Sequence, residues 1–335
     1  MLKMTDIADM AEVSIATVGR VIHNNGYVSQ ENRIKIEKII KETGFVPNRT
    51  AQGLKGNKSR LIGHLTIFNP NMLYEEIAKA VNLQAHKMGY QVITMVLERE
   101  PEEAQKQIQE LIGRRVDGVI ITSNPFVKKK HIELLEKAGI PVIFVEREYG
   151  HSEYDFIKVD DIEGAYRAVK QMVSAGHREI GYIGPKLKYE VEKLRFEGYQ
   201  KALKECGAAI NKSRIVHTDS YSTEDGKEAA GKILGQTSNV TAIFVTSDVL
   251  VCGVLQYCYE KQIRIPRNLS IIGYDNTLSS YTAPKISSMK LPLEEIAVQV
   301  IDLLTLRMKE PTRKPTQYLV RPVIVDRGSV IPIPR

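Results

Sequence analysis

The sequence has few cysteines and no long hydrophobic run, and both absences exclude classes of protein. Its 335 residues contain three cysteines, too few and too widely spaced for a disulfide framework or a cysteine metal site: Cys206, Cys252 and Cys258. This favours a reduced, cytoplasmic chain. No stretch approaches the ~18 consecutive apolar residues that a membrane helix requires, so we expect no membrane partner. The first ten residues carry two acids and no apolar segment, from which we expect no secretory signal.

Recognisable catalytic and metal-binding motifs are also missing from the sequence. We find no GxSxG, HExxH or Walker A pattern, and no GxGxxG after the first predicted strand. Six of the histidines are scattered without the paired spacing of a metal site: His64, His86, His131, His151, His177 and His217. We therefore expect no cofactor, no metal and no enzymatic activity. A sugar-metabolising α/β enzyme, or a ligand-binding protein with an accessory helical module, stays open as the alternative.

The positive charge of the chain is concentrated near its N-terminus. The net charge is +7, and residues 1–60 contribute ten basic and six acidic side chains to it. The remaining residues carry 37 basic and 34 acidic side chains and are close to neutral. A basic segment on a near-neutral body is typical of a module that faces DNA phosphates, although a solvated surface is the alternative.

The N-terminal segment has the capping and periodicity of three short helices. Thr5, Ser14 and Ser29 are candidate N-caps, and they predict helices up to residue 11, over 15–22 and over 30–43. A tight turn between the first two makes a helix-turn-helix, although a three-helix protein-interaction module has the same pattern.

The second helix of such a motif enters the major groove with its N-terminus first. In that geometry Ile15 and Ala16 contact thymine methyl groups, and Arg20 donates two hydrogen bonds to a guanine.

Beyond residue 60, apolar runs alternate with amphipathic stretches, which predicts a parallel β-α architecture. Nine strands are predicted: Leu61–Ile67, Gln91–Met95, Val116–Ile121, Val142–Val145, Phe156–Val159, Ile180–Ile183, Ile215–His217, Ala242–Val245 and Ser270–Gly273. The expected fold is an all-α helix-turn-helix headpiece plus an α/β core of two parallel-sheet lobes with helices on both faces. Ligands of such sheets bind outside the carboxyl ends of the strands, so we expect a small effector between the lobes.

The segment TDIADMAEVSIATVGRVIHN resembles the headpiece of the LacI/GalR family of bacterial transcriptional regulators, and the likeness continues along the whole chain. The resemblance implies a periplasmic-binding-protein-like core and a sequence-specific DNA-binding regulator, which we expect to be a repressor. It implies base contacts by Ile15, Ala16 and Arg20. It also implies phosphate contacts by four other residues: Thr5, Ser14, Thr17 and Asn24. We expect a homodimer, or a tetramer, on palindromic double-stranded operator DNA.

Two headpiece residues depart from the family pattern. Glu12 stands at a turn position where the family usually has Gly or Asn, so we expect strain at its backbone. Gly19 replaces a usual Ser inside the second helix and costs about 1 kcal/mol of helix propensity. Both changes predict a headpiece of marginal stability that becomes fully ordered on DNA.

Residues 47–60 form the predicted hinge. A flexible linker is one interpretation, because the segment is too short for a stable isolated helix and contains Gly53 and Gly56. The resemblance implies instead that paired hinge helices enter the minor groove of DNA, with Leu54 as the wedge and Ala51 as the small residue. Gln52 stands at a position where the family frequently has Arg.

The resemblance also implies an effector pocket. Arg195 in RFEGY and Asp275 in IIGYDN match the effector-binding Arg and Asp of the family. A guanidinium fork and a carboxylate suit a polyhydroxylated or carboxylated molecule. Further candidates for effector contacts are Leu73, Tyr74, Thr122, Asp161, Tyr221 and Ser247.

A second positive charge at Arg147 adds acidic and phosphorylated effectors to the expected ligands, which are a sugar, a sugar acid or a sugar phosphate. The expected domains are 1–46 for DNA binding, 47–60 for the hinge and 61–335 for the core. Within the core we expect an N-lobe of about 61–160 and 291–321 and a C-lobe of about 161–290 and 322–335.

Overall fold

The computed structural model describes residues 2–46, 59–67, 71–97, 101–146, 153–187, 190–236 and 239–333. It divides the chain into two compact units, Met1–Ser59 and Arg60–Arg335. Three residues predicted from the sequence, Ala51, Leu54 and Arg147, lie outside the described residues, and what was expected of them stays a prediction.

The N-terminal unit contains three helices: α1 (Met4–Ala11), α2 (Ile15–His23) and α3 (Gln30–Thr43). Ile7, Val18 and Ile36, one from each helix, are fully buried at its centre. Ser14 and Ser29 cap α2 and α3 as expected, because their hydroxyl oxygens accept hydrogen bonds from backbone N–H groups three residues later.

The expectation that Thr5 caps the first helix is wrong. Helix α1 begins two residues earlier than that cap implies, at Met4, and Lys3 occupies the N-cap. The reason is Asp6, whose carboxylate accepts the backbone N–H of Lys3 at 2.7 Å. A bond from the third helical residue back to the N-cap backbone, one half of a capping box, marks the start of a helix at the residue whose N–H is accepted.

The turn between α1 and α2 has the conformation that the sequence analysis expected to be strained. Glu12 adopts φ 57° and ψ 41°, the left-handed region that residues with a Cβ occupy at a cost. Its side chain lies 3.2 Å from the Lys35 ammonium, an exposed pair that contributes little to stability.

The C-terminal unit contains two six-stranded sheets. The strands of the first are β1 (Leu61–Ile67), β2 (Gln91–Leu97), β3 (Gly118–Thr122), β4 (Val142–Val145), β5 (Asp155–Val159) and β11 (Gln317–Val320). The strands of the second are β6 (Ile180–Pro185), β7 (Ile215–Thr218), β8 (Ala242–Val245), β9 (Ser270–Asp275), β10 (Ser287–Lys290) and β12 (Val323–Val325).

Eight α-helices accompany these strands in the described residues: α4 (Leu73–Lys87), α5 (Pro101–Gly113), α6 (Lys129–Lys137), α7 (Asp161–Ser174), α8 (Glu190–Glu205), α9 (Thr223–Gln236), α10 (Asp248–Glu260) and α11 (Leu293–Lys309). None of the described helices combines the length and apolar character that crossing a membrane requires.

The two sheets repeat one topology. Their strand orders are β11-β5-β4-β3-β1-β2 and β12-β10-β9-β8-β6-β7, and every pair is parallel except β10 with β12. The chain passes between the sheets after β5, after β10 and after β11. Since both sheets are parallel with helical crossovers, their carboxyl-terminal edges are where functional loops collect.

Candidate DNA interface and effector site

Helix α2 has one buried and one exposed face. Val18 and Val21 are buried against the other two helices, whereas Ile15, Ala16 and Arg20 are exposed. The Ile15 side chain is 48% exposed, although burying a side chain of this size yields roughly 1.5–3 kcal/mol. Apolar groups and a guanidinium on the exposed face of one helix are suited to reading base edges.

The four residues expected to contact phosphates are placed around the ends of α1 and α2. Thr5 and Ser14 are exposed, and the hydroxyl groups of Ser14 and Thr17 lie 2.9 Å apart. Asn24 ends α2 in the left-handed conformation, and its side-chain oxygen accepts a hydrogen bond from Arg33 at 3.1 Å.

Arg195 is the centre of a buried polar cluster in the core unit. It projects from α8 and is 3% exposed. Its Nε donates to Asp161 at 2.8 Å, and one terminal nitrogen donates to the carbonyl oxygen of Thr246 at 2.8 Å. Its other terminal nitrogen lies 3.5 Å from Asp275, and its guanidinium carbon lies 4.0 Å from the centre of the Tyr274 ring. Burial opposes its charge, but Asp161 and Asp275 raise the pKa of Arg195 overall.

Asp275 connects the two sheets. It is the last residue of β9 in the second sheet, and its Oδ2 accepts a hydrogen bond of 2.6 Å from Asn71, which follows β1 of the first sheet. The Asn71 amide is oriented because its oxygen accepts the N–H of Leu73 at 3.1 Å. Burial raises the pKa of Asp275 to about 7, even though Arg195 lowers it.

The loop that carries Asp275 is held by a second buried carboxylate. Asp248 at the start of α10 accepts hydrogen bonds from the hydroxyls of Ser279 and Ser288 and from the N–H groups of Leu278 and Ser279, all between 2.6 and 2.9 Å. These bonds hold the segment that follows Asp275, whose own backbone has the unusual φ of 89°.

Glu192 lies one helical turn before Arg195 and is fully buried. One carboxylate oxygen accepts from the Tyr221 hydroxyl at 2.7 Å, and the other accepts from Thr246 at 2.8 Å and Tyr182 at 3.2 Å. Burial raises the pKa of Glu192, while Arg195 and these hydroxyls oppose the rise.

Glu146 follows β4 directly and has a backbone φ of 68°. Its Oε1 is buried and accepts no hydrogen bond from the described residues. Burial raises the pKa of Glu146 to about 8, with a further contribution from Asp161 and opposition from Arg195. Burial and then the charge of Glu146 raise the pKa of Tyr74, whose hydroxyl donates to Ser123 at 3.3 Å.

Of the expected effector residues, the structure brings Asp161, Arg195, Tyr221 and Asp275 into one network, with Tyr74 close to its charges. The other three described candidates make structural contacts. Leu73 packs in the hydrophobic core, Thr122 is hydrogen-bonded to His64 at 2.7 Å, and Ser247 caps α10.

Comparison with known proteins places these features in a family. A family model described as bacterial regulatory proteins, lacI family, matches residues 3–48, and one for a periplasmic binding protein-like domain matches residues 169–330. The HTH-type transcriptional regulator DegA of Bacillus subtilis is 32% identical over 332 residues, 98% of each chain. The chain belongs to the lacI family of bacterial regulatory proteins.

Two further comparisons extend this lacI-family assignment to function and fold. The ribose operon repressor of Haemophilus influenzae is 31% identical over 98% of this chain and 99% of its own length. A lac repressor dimer bound to operator and the anti-inducer ONPF superposes with a TM-score of 0.83 at 25% identity, over 98% of this chain and 99% of the other. The expected fold class and the expected DNA-binding transcription regulator are confirmed.

Sequence reasoning missed several residues of the polar cluster in this lacI-family protein. Glu192 stands three residues before Arg195, a spacing that puts both on one helix face. Glu146 precedes Arg147, which was chosen for its charge instead. Asn71 and Tyr274 adjoin selected residues, and only the meeting of two sheet edges makes them part of the site.

Proposed function

We propose that this lacI-family regulator is a repressor that binds palindromic operator DNA as a homodimer and is controlled by a small effector bound around Arg195 and Asp275. The exposed Ile15 and Ala16 at the start of a capped helix, with the exposed Arg20 further along it, carry the DNA-binding part of the proposal.

The proposed recognition of DNA follows from the chemistry of α2. Ile15 and Ala16 contact thymine methyl groups, Arg20 reads a guanine, and each good base contact discriminates by about 1–3 kcal/mol. Thr5, Ser14, Thr17 and Asn24 position the headpiece on phosphates. One headpiece makes too few contacts for a genomic site, so a second copy is needed.

The proposed control of DNA binding runs from the polar cluster to the hinge. Asn71 and Asp275 join segments that follow strands of different sheets, so a ligand at this point biases how the lobes close. We propose that lobe closure changes the spacing of the paired hinges at 47–60 and thereby the insertion of Leu54, next to Ala51, into the minor groove.

The proposed organisation is a headpiece of 1–46, a hinge of 47–60 and a core of 61–335. The N-lobe comprises about 61–160 and 291–321, and the C-lobe about 161–290 and 322–335. We propose that the protein works in the cytoplasm and catalyses no reaction, which agrees with relatives that are named as transcriptional regulators.

Selection of DNA sites from a random duplex library by the full chain tests this function. The selected sites should be palindromic, and Arg20→Ala should relax the choice of one base pair in each half-site by about 1–3 kcal/mol. Lys38→Ala is the matched control, because this exposed side chain of α3 carries the same charge. It should leave base preference unchanged. Enrichment of no sequence by the wild type would contradict the proposal.

A further inference from the structure

The polar cluster contains more acidic than basic side chains. Four carboxylates, Glu146, Asp161, Glu192 and Asp275, influence one another or Arg195 electrostatically. Among the ion pairs of the described residues, Arg195 is the cation that contacts three of them, at 2.8, 3.6 and 3.5 Å for Asp161, Glu192 and Asp275. One guanidinium therefore faces four carboxyl groups.

Two oxygen atoms of this cluster are left open. Asp161 receives the Nε–H of Arg195, and both oxygens of Glu192 receive hydroxyl groups. Glu146 Oε1 and Asp275 Oδ1 are buried and accept no hydrogen bond within the described part of the chain, and Asp275 Oδ1 has the Arg195 guanidinium 3.5 Å away. A buried acceptor without a donor costs about 1–3 kcal/mol, so these atoms are suited to a ligand that brings N–H or O–H groups.

Arg195 is poorly placed to serve a negatively charged ligand. Two of its nitrogens already donate to Asp161 and to the Thr246 carbonyl, and the third points toward Asp275. Burial already raises the pKa of Glu146, Glu192 and Asp275, so this site disfavours negative charge, and an incoming carboxylate or phosphate would add a further anion to it.

We propose that the effector is a polyhydroxylated molecule with a protonated amine, the chemical class of the amino sugars, and that Glu146 and Asp275 bind the amine. This inference rests on the proposed function of the pocket as the effector site. Hydroxyl groups of the ligand bind the remaining polar atoms, and Tyr74 and Tyr221 border the site. Sugar acids and sugar phosphates are rejected.

The protonation of the pocket agrees with this assignment. Burial raises the pKa of Glu146 to about 8 and that of Asp275 to about 7, so both are partly protonated near neutral pH when no cationic ligand is bound. A protonated amine favours the ionised carboxylates, and the charge-assisted hydrogen bonds that result are about twice as strong as neutral ones.

The test compares matched ligands on the full chain at pH 7. D-Glucose, D-galactose and D-mannose are each measured with their 2-amino, uronic acid and 6-phosphate forms by titration calorimetry. We expect one 2-amino sugar to bind at least tenfold more tightly than its neutral parent, and the acids and phosphates to show no binding. An acid or phosphate that binds more tightly than its amino counterpart overturns the inference, as does the absence of binding by every amino sugar.

A variant tests whether Glu146 is responsible for the preference for amino sugars. Glu146→Gln keeps the size of the side chain and should reduce the preference for the amino form to within about twofold. Glu110→Gln is the control, because this exposed glutamate of α5 pairs with Arg114 and should leave the preference unchanged. An unchanged preference in Glu146→Gln overturns the role of Glu146, and the wild-type ranking tests the ligand class without any variant.

Binding to the selected operator separates this inference from the proposed function. If an amino sugar binds but operator affinity does not respond to it, the ligand class is upheld and the proposed control by an effector fails. If operator binding responds to a sugar acid or sugar phosphate, the proposed function is upheld and the inference on charge fails.

Discussion

Replacing Gly19 with alanine should stabilise the headpiece. Gly19 lies inside α2 with ordinary helical geometry, and a Cβ built there meets only the Met4 methyl group at 3.6 Å, an ordinary contact. Glycine is about 0.8–1.0 kcal/mol less favourable than alanine within a helix, and nothing in the packing opposes that gain. Amide hydrogen exchange of α1 to α3 in the full chain should slow about fivefold, the factor that corresponds to about 1 kcal/mol.

Gly26→Ala provides the opposite case in the same unit. Gly26 has φ +74°, and a Cβ there lies 3.4 Å from the Arg20 side chain. Alanine at this backbone conformation costs about 1–2 kcal/mol, so exchange in the headpiece should become faster. If Gly19→Ala leaves exchange unchanged or makes it faster, helix propensity does not limit the stability of the headpiece, and the explanation of its marginal stability is refuted.

Three further predictions concern the hinge and the effector site. Leu54→Ser should weaken operator binding at least tenfold in a titration and leave effector binding intact, because a polar side chain is a poor wedge between bases; equal operator affinity would contradict it. Asn71→Ala removes a hydrogen bond to a carboxylate across the two sheets and should lower the free energy of unfolding, measured with urea, by about 1.5–3 kcal/mol, whereas a loss below about 0.5 kcal/mol would mean that the contact does not hold the lobes. Burial raises the pKa of Glu146 in the folded protein to about 8, from 4.5 for the exposed group, so the stability of the folded state falls as the pH rises between these values. Glu146→Gln should remove up to about 1.4 kcal/mol per pH unit of that slope, and identical slopes for variant and wild type would rule this out.

The sequence predicted the strands that are buried on both faces and missed those that are short or polar. Val142–Val145 and Ala242–Val245 were predicted with the bounds that the structure has, since a continuous apolar run bounded by polar residues permits one assignment. The strands β10, β11 and β12 were not predicted. β10 reads SSMK, and β12 consists of three residues that pair antiparallel with it. These segments become strands because they pair with segments distant in the sequence, and the local sequence pattern carries no information about such pairing.

The residues of the effector site could be predicted from the sequence only where they belong to a recognisable motif. Arg195 and Asp275 were selected by resemblance, and both lie in the buried cluster. Glu146 and Glu192 carry no motif, and their role depends on which strand ends meet. Ser247 was selected because it follows a strand, but in the structure its hydroxyl caps the next helix. Its position after a strand therefore did not distinguish a ligand contact from a helix cap.

The order in which the strands enter the two sheets has a consequence for how the protein is made. Strand β11 is an edge of the first sheet and β12 is an edge of the second, and the two are separated by only two residues near the end of the described chain. During synthesis, the first lobe receives its last strand at residue 320 and the second lobe at residue 325. Both lobes therefore complete their sheets almost together, and a chain that stops at residue 310 lacks a strand in each lobe instead of losing one lobe and keeping the other.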